Sequence, residues 1–131
     1  MRREIFMANN AHILLFHVES LKAAHIESLC KNLSIRTSRI KLADYSQKLA
    51  YLAGIPGFLR EDTDYTGPEF PSEMMVFANM ADMLDQFLSE YKKSGIPPIG
   101  LKAVITPHNI FWSAADLYEE LFKEHQAFQK K

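Results

Sequence analysis

The chain has 131 residues, 47% of them hydrophobic and 24% charged, with a formal net charge of −1. That length suits one domain with a core large enough to need no disulfide or metal staple, and a near-neutral charge offers no bulk attraction to nucleic acid. A single cysteine, Cys30, excludes an intrachain disulfide and fits a reducing compartment; no run approaches the roughly 20 apolar residues of a membrane span, and Arg2-Arg3 leads into no secretory apolar core, so the expected setting is the cytoplasm, with no membrane partner.

Residues 1–10 read as an N-terminal appendage, expected to be poorly ordered, and residues 11–131 as one α/β domain. Ala11–Val18 (AHILLFHV) is a near-continuous apolar run, the pattern of a central strand. Ser20 is placed to cap a helix over Leu21–Leu33, whose Ile26, Leu29, Cys30 and Leu33 make an inward stripe while Lys22, Glu27 and Lys31 face out. On that stripe Cys30 is a small buried hydrophobe rather than a redox group. A second strand over Ile35–Leu42 carries Arg36, Arg39 and Lys41 and reads as a solvated edge.

Asp44–Phe58 (DYSQKLAYLAGIPGF) is the most motif-like stretch. Asp44 with Gln47 three residues on suggests a capping box, Gly54 a left-handed helix end, and Pro56 a stop. Gly57 allows a second positive φ or a close backbone approach, and Tyr45 and Tyr51 read as anchors. The polar loop 59–72 that follows is long enough to be functional or mobile; its acidic residues lack the spacing of a calcium loop.

Glu73–Ala78 is again a short apolar strand, and Asn79 is placed to cap a helix carrying Met80, Met83, Leu84, Phe87, Leu88 and Tyr91, closed by Gly95 and Pro97-Pro98. Leu101–Thr106 is a fourth strand. Ser113 caps a last helix, with Asp116 three residues on and Leu117, Leu121, Phe128, Tyr118 and Phe122 on its apolar face.

Ile13–Ile35 and Met74–Ile96 have the same length, and a shift of 61 positions lays ILLF over MMVF, Ile26 over Phe87 and Cys30 over Tyr91. Two strand-helix-strand units in tandem predict an α+β ferredoxin-like β-α-β-β-α-β sandwich, with a helix-loop insertion between strands two and three and an added C-terminal helix. The rival is a small parallel α/β doubly wound sheet. The insertion is expected at one end or edge of the sheet.

The runs DYSQKLAYLAGIPGF, EMMVFANM, GIPPIGLKAVITPHNIFW and LYEELFKEH resemble a prokaryotic family of unknown function, DUF 3783, over nearly all the chain from Ala11 on. Family members resemble PEDYNQPLGYLAGI and LKAVLTPTNQNW; this chain departs at Lys48 (proline there), Ala50 (glycine) and His108 (threonine). Losing the proline and glycine predicts a more continuous helix here. The resemblance implies a prokaryotic intracellular protein and no particular activity.

Two loops carry the candidate ligand or interaction surface: Tyr51, Gly54, Pro56, Gly57 and Phe58 in one; Thr106, His108, Asn109 and Trp112 in the other, with Lys102 nearby. The first expectation is a non-enzymatic ligand-binding or protein-interaction module, of a regulatory kind, that binds a small molecule or a protein, with edge strand two and the last helix offering surfaces for a homodimer. The alternative is a small enzyme using His108 as base with Thr106 and Lys102; it stands only if His108, Thr106 and Tyr51 meet in one pocket. No His pair has ligand spacing and no Gly-rich phosphate loop is present, so neither a metal nor a cofactor is expected.

Overall fold

The computed structural model describes residues 10–129, the side chains of residues 128 and 129 excepted. The expected appendage thus lies, Asn10 apart, outside the described residues, as does the side chain of Phe128. The elements run β1 (His12–Phe16), α1 (Ser20–Asn32), β2 (Arg36–Ile40), a 3-10 turn (Leu42–Asp44), α2 (Leu49–Leu52), β3 (Met74–Ala78), α3 (Leu84–Ser94), β4 (Leu101–Val104) and α4 (Ala114–Gln129).

The four strands form one mixed sheet in the order β2-β1-β3-β4. β1 and β2 are parallel, β3 and β4 are parallel, and β1 and β3 are antiparallel. The fold is α+β, but it has neither the ferredoxin-like order nor an all-parallel sheet. In a split β-α-β unit a strand of the other unit separates the two parallel strands; here each helix returns its strand beside the one it left. The return of the first unit is tight: Ser34 is left-handed, the Ile35 N–H donates to Cys30 O, and the Arg36 N–H donates to Ala11 O at 3.0 Å. Polarity along the strands separates centre from edge, as expected for β1, β3 and β2, but does not say which edge a strand takes.

The internal repeat survives this correction. Ile13 pairs with Phe77 and Phe16 with Met74. A shift of 61 positions turns the first pair into the second, so the repeat maps the β1–β3 pairing onto itself and makes the seam a local two-fold axis. Ser34 (φ 61) and Gly95 (φ 81) close α1 and α3 at equivalent positions.

Both central strands are buried along their whole length. Alternation sends their side chains to two separate cores. On one face Ile13, Leu15, Met75 and Phe77 meet Ala23, Ile26 and Cys30 of α1 and Phe87 and Tyr91 of α3. Burial pushes the Cys30 thiol up to about 12, which leaves it an inert core hydrophobe. On the other face Leu14, Phe16, Met74 and Val76 meet Tyr45, Leu49, Leu52, Phe70, Leu117 and Tyr118. The insertion and α4 therefore cover a sheet face, not an end or edge. A strand apolar on both sides needs cover on both sides, and 42–53 with α4 supplies it.

Several local expectations change. The N-cap of α1 is Glu19, whose carboxylate accepts from the Leu21 and Lys22 N–H groups, not Ser20. Lys22 does not face out; its Nζ donates to Glu73 at 2.6 Å with 14% of its side chain exposed. α3 starts at Leu84, because Asn79 is left-handed (φ 57) and the chain turns before the helix begins. Asp44 caps no helix: it sits in the 3-10 turn and accepts from Arg60 Nε at 2.9 Å. Loop 59–72 is pinned: Gln47, fully buried, accepts from the Glu61 N–H at 2.7 Å and donates to Glu61 O at 3.0 Å. Tyr45 Oη donates to Glu69 at 2.6 Å, and burial with that carboxylate pushes the phenol up.

Candidate functional site

The two motif loops meet because two helices cap each other. The first N–H groups of any helix lack partners within it. At the start of α2, the Leu49 N–H donates to Trp112 O at 2.9 Å and the Ala50 N–H to Ile110 O at 3.0 Å. At the start of α4, the Ala114 N–H donates to Gln47 O at 3.2 Å and the Ala115 N–H to Tyr45 O at 2.9 Å. The runs 45–50 and 110–115 thus satisfy one another, and their sequence-distant loops are fixed side by side. Phe58 and Phe111 touch across them, ring centroids 5.7 Å apart.

Each loop is rigid for local reasons. α2 ends in a Schellman motif: the Ile55 N–H donates to Ala50 O, the Gly54 N–H donates to Tyr51 O, and Gly54 is left-handed at φ 75. Gly57 adds a second positive φ, 94°, and nothing lies within 4 Å of a Cβ at either glycine. Conformation, not close approach, requires them. In the second loop Thr106 Oγ1 accepts from the His108 and Asn109 N–H groups. Asn109, buried, accepts from the Thr106 N–H at 2.9 Å and donates to Val104 O at 3.1 Å. Pro107 stands in the first turn, where no N–H is missed.

Between the loops, at the carboxyl ends of β3 and β4, lies a cleft of about 370 Å³. Ile55, Ile105, Ile110 and Phe111 supply its apolar walls, and Asn79 and Thr106 its polar groups. Phe111 is 59% exposed, unusual for so large an apolar side chain. The equivalent place in the first unit, past β1 and β2, is a hollow of about 160 Å³ with Arg39, His17 and Glu69 in its walls. Polar groups already engage one another there: Arg39 donates to both Glu27 oxygens, holding that carboxyl below its usual range, and His17 Nδ1 lies 3.5 Å from Glu69. Two-fold related ends of one sheet are thus chemically different, one apolar and open, one self-paired.

Of the residues singled out in the sequence, Thr106 lines the cleft and Phe58 borders it through Phe111. Gly54, Pro56 and Gly57 shape the adjoining turn, and Asn109 holds the second loop from within. Tyr51 packs against the core beneath α2 and does not line the cleft. His108 is exposed, its ring edge-on to Trp112 at 5.1 Å, and is not in the wall either. Lys102 stands near the start of β4, its Nζ on Ile99 O at 2.8 Å, away from Thr106. Sequence reasoning missed Ile55, Asn79, Ile105, Ile110 and Phe111. The available signal was Ile110-Phe111-Trp112, three consecutive large apolar residues between a turn and a helix cap.

At the start of β1 sits a buried histidine. His12 Nδ1 donates to Ala53 O at 3.3 Å, so in the neutral ring Nε2 accepts from the Ser38 hydroxyl at 2.7 Å. Burial holds its pKa below the ordinary value of 6.5. Among the described residues no group of three His, Cys, Asp or Glu could hold a metal ion, and no helix is long and apolar enough to cross a membrane.

Residues 73–128 match the model of a family described as Domain of unknown function (DUF3783). The match supports the family assignment; it includes β3, β4, Thr106–Trp112 and most of α4, while 44–58 lies outside the matched span. No curated protein and no solved structure matches the chain.

Proposed function

We propose that this protein is a non-enzymatic binding module of a prokaryotic cytoplasm, and that the cleft beyond β3 and β4 is its recognition surface. The observation that carries this reading is the exposed apolar wall, Phe111 above all, held by two loops whose turns are fixed by their own hydrogen bonds. Pre-ordered walls lower the entropic cost of binding, and an apolar cleft with a few polar groups is the usual form of a ligand site. Its volume, about 370 Å³, falls at the small end of the roughly 300–1,000 Å³ typical of such sites, fitting a short apolar group better than a large metabolite. The enzyme alternative gains nothing from the geometry, since His108, Lys102 and Tyr51 are not in the wall that contains Thr106.

A fragment screen read by amide chemical shifts tests the proposal. Hits should cluster on Ile55, Asn79, Thr106 and Phe111 and be weakened by Phe111→Asp. Hits that map elsewhere, or that ignore Phe111→Asp, would sink it.

A further inference from the structure

We infer that the groove between loop 59–72 and α4 is a second recognition surface, one that takes an arginine side chain of a partner polypeptide. It shares no wall residue with the apolar cleft and stands independently of the reading of that cleft. Three observations carry it. First, the groove is held in shape. Its volume is about 320 Å³, and α4 gives Asp116, Tyr118, Glu119 and Phe122 to one wall. The loop gives the other, and its course is fixed. The Tyr65 N–H donates to Ala43 O at 2.9 Å, Tyr65 Oη donates to Pro68 O at 2.9 Å, and the Ser72 N–H donates to Tyr118 Oη at 3.1 Å. A Cβ at Gly67 would lie 2.5 Å from Tyr65 Oη, so the tyrosine folds over a residue without a side chain.

Second, the walls are aromatic. Phe70 and Tyr118 stack with centroids 4.1 Å apart at 13°, and Tyr118 and Phe122 with centroids 5.9 Å apart at 14°. Phe70 and Tyr118 are buried, whereas Phe122 and Tyr65 are half-buried, so the stack ends in ring surface at the groove. Third, the charge is one-sided. Glu69, Asp116 and Glu119 stand in the walls, and no Lys, Arg or His does. Glu69 accepts from Tyr45 Oη and the Phe70 N–H, and its other oxygen lies 3.5 Å from His17. Among the described residues no hydrogen bond or ion pair engages the carboxylate of Asp116 or Glu119. Asp116 stands in the first turn of α4 and complements its positive end; Glu119, a turn later, has no such counterpart. Unpaired carboxylates beside ring faces are complementary to a cation that also stacks. Arginine fits better than lysine, because a planar guanidinium stacks on a ring while its N–H groups fork to a carboxylate. The groove is open, with Pro68, Pro71 and Glu119 exposed along it. Such a surface does not enclose most of a small molecule, as ligand pockets do; it suits one side chain laid in from a chain that passes over it.

The test titrates the full chain with acetyl-Gly-Arg-Gly-amide and reads amide and aromatic chemical shifts. The same peptide with citrulline, neutral and nearly isosteric, and the free guanidinium ion are the comparison probes. The arginine peptide should shift Tyr65, Tyr118, Glu119 and Phe122 saturably, and the citrulline peptide should not. Guanidinium should bind more weakly than the peptide, since it lacks the stem that packs on the rings. Glu119→Gln, at an exposed position without partners, and Phe122→Leu, which keeps apolar packing, should each weaken the arginine peptide about two- to fivefold. Equal shifts from the arginine and citrulline peptides overturn the inference, since no cation is then recognised. Shifts spread over carboxylates outside the groove also overturn it, since they mark bulk attraction alone. Binding weakened by Glu119→Gln but untouched by Phe122→Leu overturns it in favour of a plain surface ion pair. Guanidinium binding as tightly as the peptide overturns it in favour of a small organic cation.

Discussion

Gly54 sets the direction in which the chain leaves α2, and so where Ile55 stands in the cleft. Its φ of 75° costs an L-residue about 1–2 kcal/mol, and the space around it is empty. Gly54→Ala should therefore lower stability by about 1 kcal/mol, while Gly54→Asn, which tolerates the left-handed region, should lower it less. Urea denaturation midpoints decide this; equal losses would mean that contact rather than φ is at stake. Asn109 does the matching work in the second loop. Replacing it with alanine leaves the Thr106 N–H and Val104 O without their partner, at a cost of about 1–3 kcal/mol. The same substitution should speed amide exchange at Thr106, which a loss of side-chain packing alone would not do.

At the scale of elements, the reciprocal caps of α2 and α4 explain why a proline is compatible with position 48. Lys48 has φ −65° and ψ 145°, the first a value that proline fixes. It forms the isolated bridge with Ser113, in which the neighbouring Leu49 and Ala114 N–H groups do the donating. The more continuous helix expected from Lys48 does not form, because α2 is only Leu49–Leu52 and its start is dictated by the loop it binds. Lys48→Pro should fold normally and gain about 0.4–1 kcal/mol by narrowing the unfolded ensemble, less whatever the exposed Lys48–Glu61 pair contributes. A clear loss of melting temperature would show that the Lys48 N–H has an unseen role. This element also marks the limit of sequence reading. The helix end, with Gly54 at the left-handed position, was legible from local chemistry alone. The helix start was not, because its partners stand some sixty residues away and carry no signature beyond ordinary backbone carbonyls.

Across the whole molecule, the repeat identified both units and both central strands, since apolar patterning and unit length are local properties. Strand order was not legible: it depends on how tightly Ser34 and Ile35 return the chain to β1, which composition does not record. The apolar cleft was missed for a related reason. Its walls come from Ile55, Ala78 and Asn79, Ile105–Pro107, and Ile110 with Phe111, each ordinary in its own segment and distinctive only together. His12 joins these parts, tying β1 to β2 through Ser38 and to the end of α2 through Ala53. Its folded pKa lies below 6.5, because burial disfavours the charged ring and Arg36 adds a like charge. The unfolded chain therefore takes up this proton first as pH falls. The stabilising contribution is complete above about 6.5 and is lost progressively from there down to the lowered folded value, at up to about 1.4 kcal/mol per pH unit. The carboxylates held low, Glu19 by the α1 N–H groups and Glu27 by Arg39, add their own acid sensitivity only below about 4.5. Between pH 6.5 and 5 the denaturation midpoint should thus fall for the natural chain and stay nearly flat for His12→Gln, which retains a donor and an acceptor but no proton to gain. If both chains lose stability equally over that interval, the acid sensitivity belongs to another group and His12 is only a packing residue.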